Sequence, residues 1–140
     1  MIASVLAQKY NVLKTEGNFN NEIGLPLTVF KLMREDEMMV LEMGMNHFRE
    51  IAYLTNIGKP DVAVVVNIGT MHIEHLGSIE GILKAKLEIL EGMREDGRII
   101  LNGDDSLLWN QKKSGGRNAL YFGVRNPDCD LKGLEVREAD

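Results

Sequence analysis

The sequence from Asp61 to Lys86, DVAVVVNIGTMHIEHLGSIEGILKAK, decides the fold. Its first part, residues 62–66, is an unbroken apolar run rich in valine, between Pro60 and Gly69. Such a run predicts a strand of a parallel sheet that is covered on both faces. A polar loop with two histidines follows, and Ser78 is placed to cap the next helix. The stretch therefore predicts a strand, a polar loop and a helix.

A lysine interrupts the apolar side of that helix. At 100° per residue, Lys86 lies on the same side as Ile82 and Ile89, whereas Lys84 and Glu88 lie on the opposite, polar side. Two interpretations are open. The Lys86 side chain can extend its ammonium to the edge of the stripe, or desolvation can lower its pKa and make the amine reactive.

Composition places the chain among ordinary single domains. The 140 residues carry 16 basic and 21 acidic side chains, a net charge of -5, without a basic patch. We therefore expect no nucleic-acid partner and no attachment to a membrane surface. No apolar run approaches the roughly 20 residues that span a bilayer. The single cysteine, Cys129, excludes an internal disulfide, and we expect a cytoplasmic protein.

Strand and helix patterns alternate along the chain. Apolar runs predict strands over residues 11–15, 38–43, 62–66 and 98–101, with weaker ones over 118–122 and 130–137. Amphipathic patterns predict helices over residues 1–10, 26–34, 46–57, 78–93 and 106–113, and Leu27 and Phe30 are expected to be buried. This order predicts an α/β fold: a mostly parallel sheet with helices on both faces.

Polar residues follow four successive strands of this predicted sheet. A loop rich in glycine and asparagine follows the first strand, Glu42 ends the second, His72 follows the third, and Asn102 and Asp104 follow the fourth. In open α/β sheets, ligands bind beyond the carboxyl ends of the strands. We therefore expect these side chains to line one cleft.

Glu42 and His72 are candidate metal ligands. An acidic residue at the end of a buried strand is typical of Mg²⁺ sites, although many such strands simply end on a solvated glutamate. A loop histidine such as His72 is equally compatible with a surface role, and His47 and His75 have less support. If Lys86 lies beside them, a carbamate formed from its amine and CO₂ would supply further oxygen ligands. A phosphate-binding GxxxxGK[ST] motif is absent from the sequence.

Three segments resemble the central ATPase domain of the Mur ligases. They are TEGNFNNEIGLPLT, VLEMGMNHFREI and PDVAVVVNIGTMHIEHLGSIEGILKAKLEI, in the same order and at similar spacing. The resemblance runs from about Met1 to Asp105. In that family a Gly-Lys-Thr loop precedes the helix of residues 1–10. The resemblance thus implies that residues 1–140 are an incomplete central domain, without the phosphate loop, the N-terminal UDP-sugar domain and the C-terminal domain.

The resemblance implies an ATP-dependent amide ligation that requires Mg²⁺. The implied substrates are UDP-N-acetylmuramoyl-tripeptide, which is activated as an acyl phosphate, and D-alanyl-D-alanine, whose amine attacks it. A monomeric parent enzyme is also expected. The implied site consists of metal ligands, a catalytic and carbamylated lysine, residues facing the substrate and phosphates, and residues near the nucleotide. The implied metal ligands are Glu42, His72 and Lys86, and Lys86 is also the implied catalytic lysine. The residues implied to face the substrate and phosphates are Thr15, Asn18, Asn20 and Asn21. Those implied to lie near the nucleotide are Asn102 and Asp104.

One position departs from the family pattern, and three other functions remain open. Arg49 stands where the family usually has glycine, which puts the local loop geometry in question. The alternatives are a sister ligase of the Mur or folylpolyglutamate synthase type, a phosphohydrolase built on Glu42, His72 and Asp104, and a non-catalytic binding module.

Overall fold

The computed structural model describes residues 1–111 and 119–136, which form six helices and six strands. The helices are α1 (Ile2–Leu6), α2 (Gly24–Val29), α3 (Glu50–Gly58), α4 (Ile73–Leu76), α5 (Ile79–Leu87) and α6 (Ser106–Trp109), with a 3₁₀ turn at Glu88–Glu91. The strands are β1 (Val12–Lys14), β2 (Met38–Val40), β3 (Val62–Val65), β4 (Arg98–Asn102), β5 (Leu120–Gly123) and β6 (Leu131–Lys132).

Every strand pair among the described residues is parallel, as the sequence predicts. The strands form two sheets rather than one. The first contains β1 and β2, and the second has the order β3-β4-β5-β6. The chain passes from one sheet to the other through α3, which begins after β2 and ends before β3. The carboxyl ends of β1 and β2 therefore lie in one sheet, and those of β3 and β4 in the other.

Two hydrophobic clusters hold these layers together. The larger one packs β3, β4 and β5 against α5 and α6, with Ile99, Leu101 and Leu108 fully buried. The smaller one packs α2 against α3 through Leu25, Ile51 and Leu54. Met45 and Ile89 contact both clusters, so the loop after β2 and the 3₁₀ turn join them.

The predicted burial in the N-terminal part of the chain is wrong. Leu27 and Phe30 are 47% and 84% exposed, and α1 has no buried residue. Helix α2 begins at Gly24, where the Asn21 side-chain oxygen accepts hydrogen bonds from the Ile23 and Gly24 N–H groups. The side of α2 that packs against α3 carries Leu25, and Thr28 is buried on the same helix, so Leu27 and Phe30 are left toward solvent.

The β3 strand forms as predicted, but it is not covered along its whole length. Ala63 and Val65 are buried, whereas Val62 and Val66 are more than half exposed. Within the described part of the chain β3 pairs with β4 alone, so its other edge is open. The last predicted elements fall partly outside the described residues, since residues 112–118 and 137–140 are not described.

Glu88 joins the 3₁₀ turn to the start of α3. The sequence pattern placed Glu88 on the polar side of its helix, but it is 7% exposed. Its carboxylate accepts hydrogen bonds from the Arg49 N–H at 2.9 Å and the Ala52 N–H at 3.3 Å. Arg49 has a left-handed backbone (φ 76°) and provides no side-chain cap of its own. Glu88 thus replaces the missing cap from a distant part of the sequence.

Candidate functional site

Glu42 lies just beyond β2 and is held in place by two residues of the loop after β1. Its N–H donates to the Thr15 hydroxyl at 2.9 Å, and the Asn20 amide donates to its Oε1 at 2.9 Å. The Asn20 carbonyl in turn accepts from the Gly44 N–H at 2.7 Å. A Cβ on Gly44 would approach the Asn20 side chain to 2.9 Å, so little space remains there. The ends of β1 and β2 therefore form one rigid unit around Glu42.

Asn18 and Asn21 belong to the same loop but make different contacts. Asn18 is exposed, and its carbonyl accepts from the Asn20 N–H at 2.7 Å. The Asn21 side chain faces the start of α2, where its oxygen accepts from Gly24 at 2.9 Å. Both asparagines thus shape the loop that holds Asn20.

The ends of β3 and β4 are joined in the second sheet. The Asn102 amide donates to the Val66 carbonyl at 2.9 Å, and the Asp105 carboxylate accepts from the Ile68 N–H at 2.9 Å. Asp105 also caps α6, because its other oxygen accepts from Leu107 and Leu108. These bonds fix the loop that leads from β3 to His72.

Lys86 reaches this same loop from α5. Its ammonium donates to the Asn67 carbonyl at 2.6 Å, and the residue is half-buried. Burial lowers the pKa of Lys86, and the nearby negative charge of Asp105 opposes part of that effect. Lys86 therefore ends at the carboxyl edge of β3 rather than in open solvent.

His72 lies on the wall of a cleft between the two sheets' loops. It precedes α4 with a left-handed backbone (φ 64°) and is half-buried. The cleft has a volume of about 290 Å³ and is lined mainly by polar residues, including Asn20, Asn21, His47 and Glu50. Glu42 and Lys86 are not among the described residues that line it. The cleft therefore brings together His72 and the asparagine loop.

Asp104 follows β4, and its side chain contacts the loop between β5 and β6. Its carboxylate accepts hydrogen bonds from the backbone N–H groups of Val124, Arg125 and Asn126 at 2.7–3.2 Å. The Val124 and Asn126 donors, assisted by Arg125, hold the pKa of Asp104 below its ordinary value of 3.8, against a smaller opposing effect of burial. Asp104 thus has a structural role at the end of β4, next to Asn102.

The donor set fits Mg²⁺ better than a transition metal. No three His, Cys, Asp or Glu side chains converge within residues 1–111 and 119–136. Mg²⁺ does not need such a cage, because it keeps several waters and takes one or two carboxylates together with substrate phosphates. The Asn20 bond uses one Glu42 oxygen, so the other oxygen is available to a hard cation.

Two residues with a role in the site, Asp105 and Glu50, were missed by the sequence analysis, and His47 was considered there only as a metal ligand with little support. Asp105 fixes the loop after β3. The sequence contains a signal for this residue, because an aspartate directly before Ser106 is a recognisable helix cap. Glu50 and His47 form one wall of the cleft: the His47 ring lies 3.1 Å from Glu50, whose other oxygen accepts from the Asn46 N–H. Partial burial works to raise the pKa of Glu50, but these donors outweigh it and lower the pKa.

The fold and the site define a class: an α/β domain of parallel strands whose polar residues gather at the carboxyl ends, as in nucleotide-binding proteins. Comparison with known proteins specifies the family. A family model described as the Mur ligase middle domain matches residues 1–139, so the chain belongs to the Mur ligase middle-domain family. No helix within the described ranges is long and apolar enough to cross a membrane.

Individual relatives agree with this assignment. The UDP-N-acetylmuramoyl-tripeptide--D-alanyl-D-alanine ligase of Bacillus subtilis (strain 168) is 54% identical over 110 residues, which cover 79% of this chain and 24% of that protein. MurF from Acinetobacter baumannii superposes with a TM-score of 0.87 at 31% identity, covering 97% of this chain and 30% of that one. The MurF ligase from Thermotoga maritima in complex with ADP gives a TM-score of 0.80 at 36% identity, over 89% and 29% of the two chains. The chain thus spans less than a third of the length of these relatives.

Proposed function

We propose that this chain is part of an ATP-dependent ligase that joins D-alanyl-D-alanine to UDP-N-acetylmuramoyl-tripeptide in peptidoglycan precursor synthesis. The observation that carries the proposal is the 54% identity to the Bacillus subtilis ligase, together with the family match over residues 1–139. In this reaction the tripeptide carboxylate attacks the γ-phosphate of ATP to give an acyl phosphate, and ADP leaves. The amine of D-alanyl-D-alanine then attacks the acyl carbon, and phosphate leaves.

Glu42 and His72 are the proposed Mg²⁺ ligands of this chain. Bound Mg²⁺ would neutralise part of the charge where the carboxylate and the triphosphate meet. Glu42 is suited to this role because Thr15 and Asn20 fix its backbone and one of its oxygens, so it needs little reorganisation on binding. His72 belongs to the loop after β3 and lies on the wall of the cleft that Asn20, the residue bonded to Glu42, also lines.

Lys86 is proposed to act as a carbamate. The ammonium first loses one proton to give the neutral amine. The amine then attacks the carbon of CO₂, a carbon–nitrogen bond forms as one carbon–oxygen π bond breaks, and a second proton leaves the nitrogen, so that the cation becomes an anion. The lowered pKa of Lys86 favours the neutral amine that this step needs. The carbamate nitrogen keeps one N–H, which is sufficient for the existing bond to the Asn67 carbonyl. The new oxygens would then supply the hard donors that Mg²⁺ prefers.

The remaining predicted site residues have proposed roles at the edges of the cleft. Asn20 and Asn21 line it and are therefore placed toward the substrate and phosphates, with Thr15 and Asn18 supporting their loop. Asn102 and Asp104 follow β4, where we propose that they lie near the nucleotide. Asp104 would act there through the backbone loop that its carboxylate holds.

We further propose that the chain is part of the central domain of a longer protein, which we expect to be monomeric and cytoplasmic. Coverage supports the greater length, because the matched regions make up 24–30% of the relatives. The other parts of that protein would supply the phosphate-binding loop, the UDP-sugar domain and the domain that presents the amine.

The test is product formation by the full encoded protein. With ATP, Mg²⁺, UDP-N-acetylmuramoyl-tripeptide and D-alanyl-D-alanine, we expect release of one phosphate for each new amide, identified by mass spectrometry. Phosphate release that continues unchanged without the amine would instead indicate a phosphohydrolase. Preference for another amino acid would indicate a sister ligase. The Glu42→Gln variant should lose the reaction, whereas Glu35→Gln, an exposed change before β2 and outside the cleft, should retain it.

A further inference from the structure

Two loops that belong to different sheets meet through a pair of histidine rings. His47 lies in the loop that follows Glu42 and β2, and His75 lies in α4, after β3. Their ring centroids are 4.7 Å apart with an interplanar angle of 41°, within the range of an attractive ring contact. The contact therefore joins the segment that carries Glu42 to the segment that carries His72.

The His47 side of this contact is anchored. Its ring nitrogen Nδ1 lies 3.1 Å from Glu50 Oε1, and the other Glu50 oxygen accepts from the Asn46 and His47 N–H groups at 2.6 and 3.2 Å. Glu50 is itself the first residue of α3, which packs in the smaller core cluster through Ile51 and Leu54. His47 thus presents a fixed ring to its neighbour.

The His75 side is anchored much less firmly. Helix α4 has four residues, of which Leu76 alone is buried. The His75 and Leu76 N–H groups donate to the His72 carbonyl at 3.0 and 3.2 Å, so His75 and His72 move together. His72 has a left-handed backbone, which a residue with a side chain adopts at a cost in energy. The ring contact with His47 therefore adds a second attachment to the one that Leu76 makes in the core.

We propose that His75 is a positioning residue: through its ring contact with His47, it sets where His72 stands relative to Glu42 in the cation site. The inference rests on the proposed function, because it takes His72 and Glu42 as ligands of the same Mg²⁺. His75 does not bind the cation itself. An aromatic ring at position 75 is sufficient for this role, and its proton-accepting nitrogen is not required.

The test measures cation binding separately from catalysis. In the full encoded protein with ADP, the dissociation constant of Mn²⁺, used as a probe for Mg²⁺, is measured by electron paramagnetic resonance. We expect His75→Ala to weaken Mn²⁺ binding by about two- to tenfold, the range given by one ring pair. His75→Phe should bind Mn²⁺ within about twofold of wild type. Met71→Ala, an exposed change in the same turn, is the matched control and should have no effect.

A double-mutant cycle distinguishes the ring contact from a general loss of structure. In the His47→Ala background, the further change His75→Ala should have no additional effect on Mn²⁺ binding. Three results would overturn the proposal. His75→Ala could weaken Mn²⁺ binding equally in the wild-type and His47→Ala backgrounds, it could leave the Mn²⁺ dissociation constant unchanged, or His75→Phe could fail to restore binding. His47→Ala alone tests the same contact if His75→Ala does not fold.

Failure of this inference is distinguishable from failure of the proposed function. If the wild-type protein forms the amide product but His75→Ala binds Mn²⁺ normally, the positioning role is wrong and the ligase activity stands. If the variants shift Mn²⁺ binding as expected but no amide forms, the positioning role stands and the ligase proposal is wrong. In an active ligase, His75→Ala should raise the Mg²⁺ concentration for half-maximal rate and leave the KM for D-alanyl-D-alanine unchanged.

Discussion

Replacing Glu88 tests whether a buried carboxylate holds the start of α3. Glu88 is 7% exposed and accepts from the N–H groups of Arg49 and Ala52, two of the donors that a helix leaves unpaired at its N-terminus. Glu88→Ala removes both acceptors, and Ala52, which is 2% exposed, has no ready access to water.

The expected cost follows from those two bonds. A hydrogen bond to a charged acceptor contributes about 1.5–3 kcal/mol, and a lost N-cap costs about 0.5–2 kcal/mol. The Ala52 bond is long at 3.3 Å, so we take the lower part of the combined range, about 2–3 kcal/mol. Glu88→Gln keeps one oxygen acceptor and should cost about 1 kcal/mol. Glu91→Ala, which removes an exposed ion pair with Arg49, should cost at most about 1 kcal/mol.

Hydrogen exchange followed by mass spectrometry measures this locally. Peptides that cover residues 49–58 should exchange about 30- to 150-fold faster in Glu88→Ala than in wild type, since each 1.4 kcal/mol is a factor of ten. Peptides from β1 should be unaffected. Exchange in Glu88→Ala no faster than in the control Glu91→Ala would show that Glu88 does not stabilise the helix start.

Three further changes have directions that the structure determines, each measured by urea unfolding. Gly92→Ala should destabilise the protein by at least about 2 kcal/mol, because its Cβ would overlap the Thr55 backbone carbonyl, and an unchanged midpoint would contradict this close approach. Above about pH 4, wild type should be more stable than Asp104→Asn, and this difference should disappear as the pH falls through the depressed pKa of Asp104. Parallel pH profiles of stability for the two proteins would show that the ionised Asp104 carboxylate does not stabilise the fold. Arg49→Gly should match or exceed wild type, because relief of the left-handed backbone offsets the lost Glu91 pair, whereas Arg49→Ala should fall below it. The reverse order of the two Arg49 variants would contradict the strain.

Short-range signals in the sequence predicted the local structure well. The valine run predicted β3, and Ser78 caps α5 through a hydrogen bond from the Gly81 N–H to its hydroxyl. The polar residues also follow their strands as expected, since Glu42 lies just beyond β2 and Asn102 ends β4. That Glu42, His72 and Asn102 share one cleft stays a prediction, because His72 alone of the three lines the described cleft. These features depend on residues a few positions apart, so a single segment contains the whole signal.

Long-range contacts account for what the sequence did not predict. The helical periodicity places Glu88 on the polar side of its helix and therefore predicts a solvated residue. Its burial depends on α3, where its partner Ala52 lies 36 residues earlier in the chain. The division into two sheets depends on which strand edges pair, and apolar periodicity contains no information about pairing. The ring contact between His47 and His75 likewise depends on two loops from different sheets.

The rate of amide ligation in Lys86→Ala tests the central claim most directly. The full encoded protein is assayed with ATP, Mg²⁺ and both substrates, and Lys84→Ala, an exposed lysine two residues earlier in α5, is the matched control. The account predicts a loss of at least about a hundredfold for Lys86→Ala, partial recovery when formate or acetate replaces the missing carboxylate, and a normal rate for Lys84→Ala. A Lys86→Ala protein that ligates at the wild-type rate would contradict it.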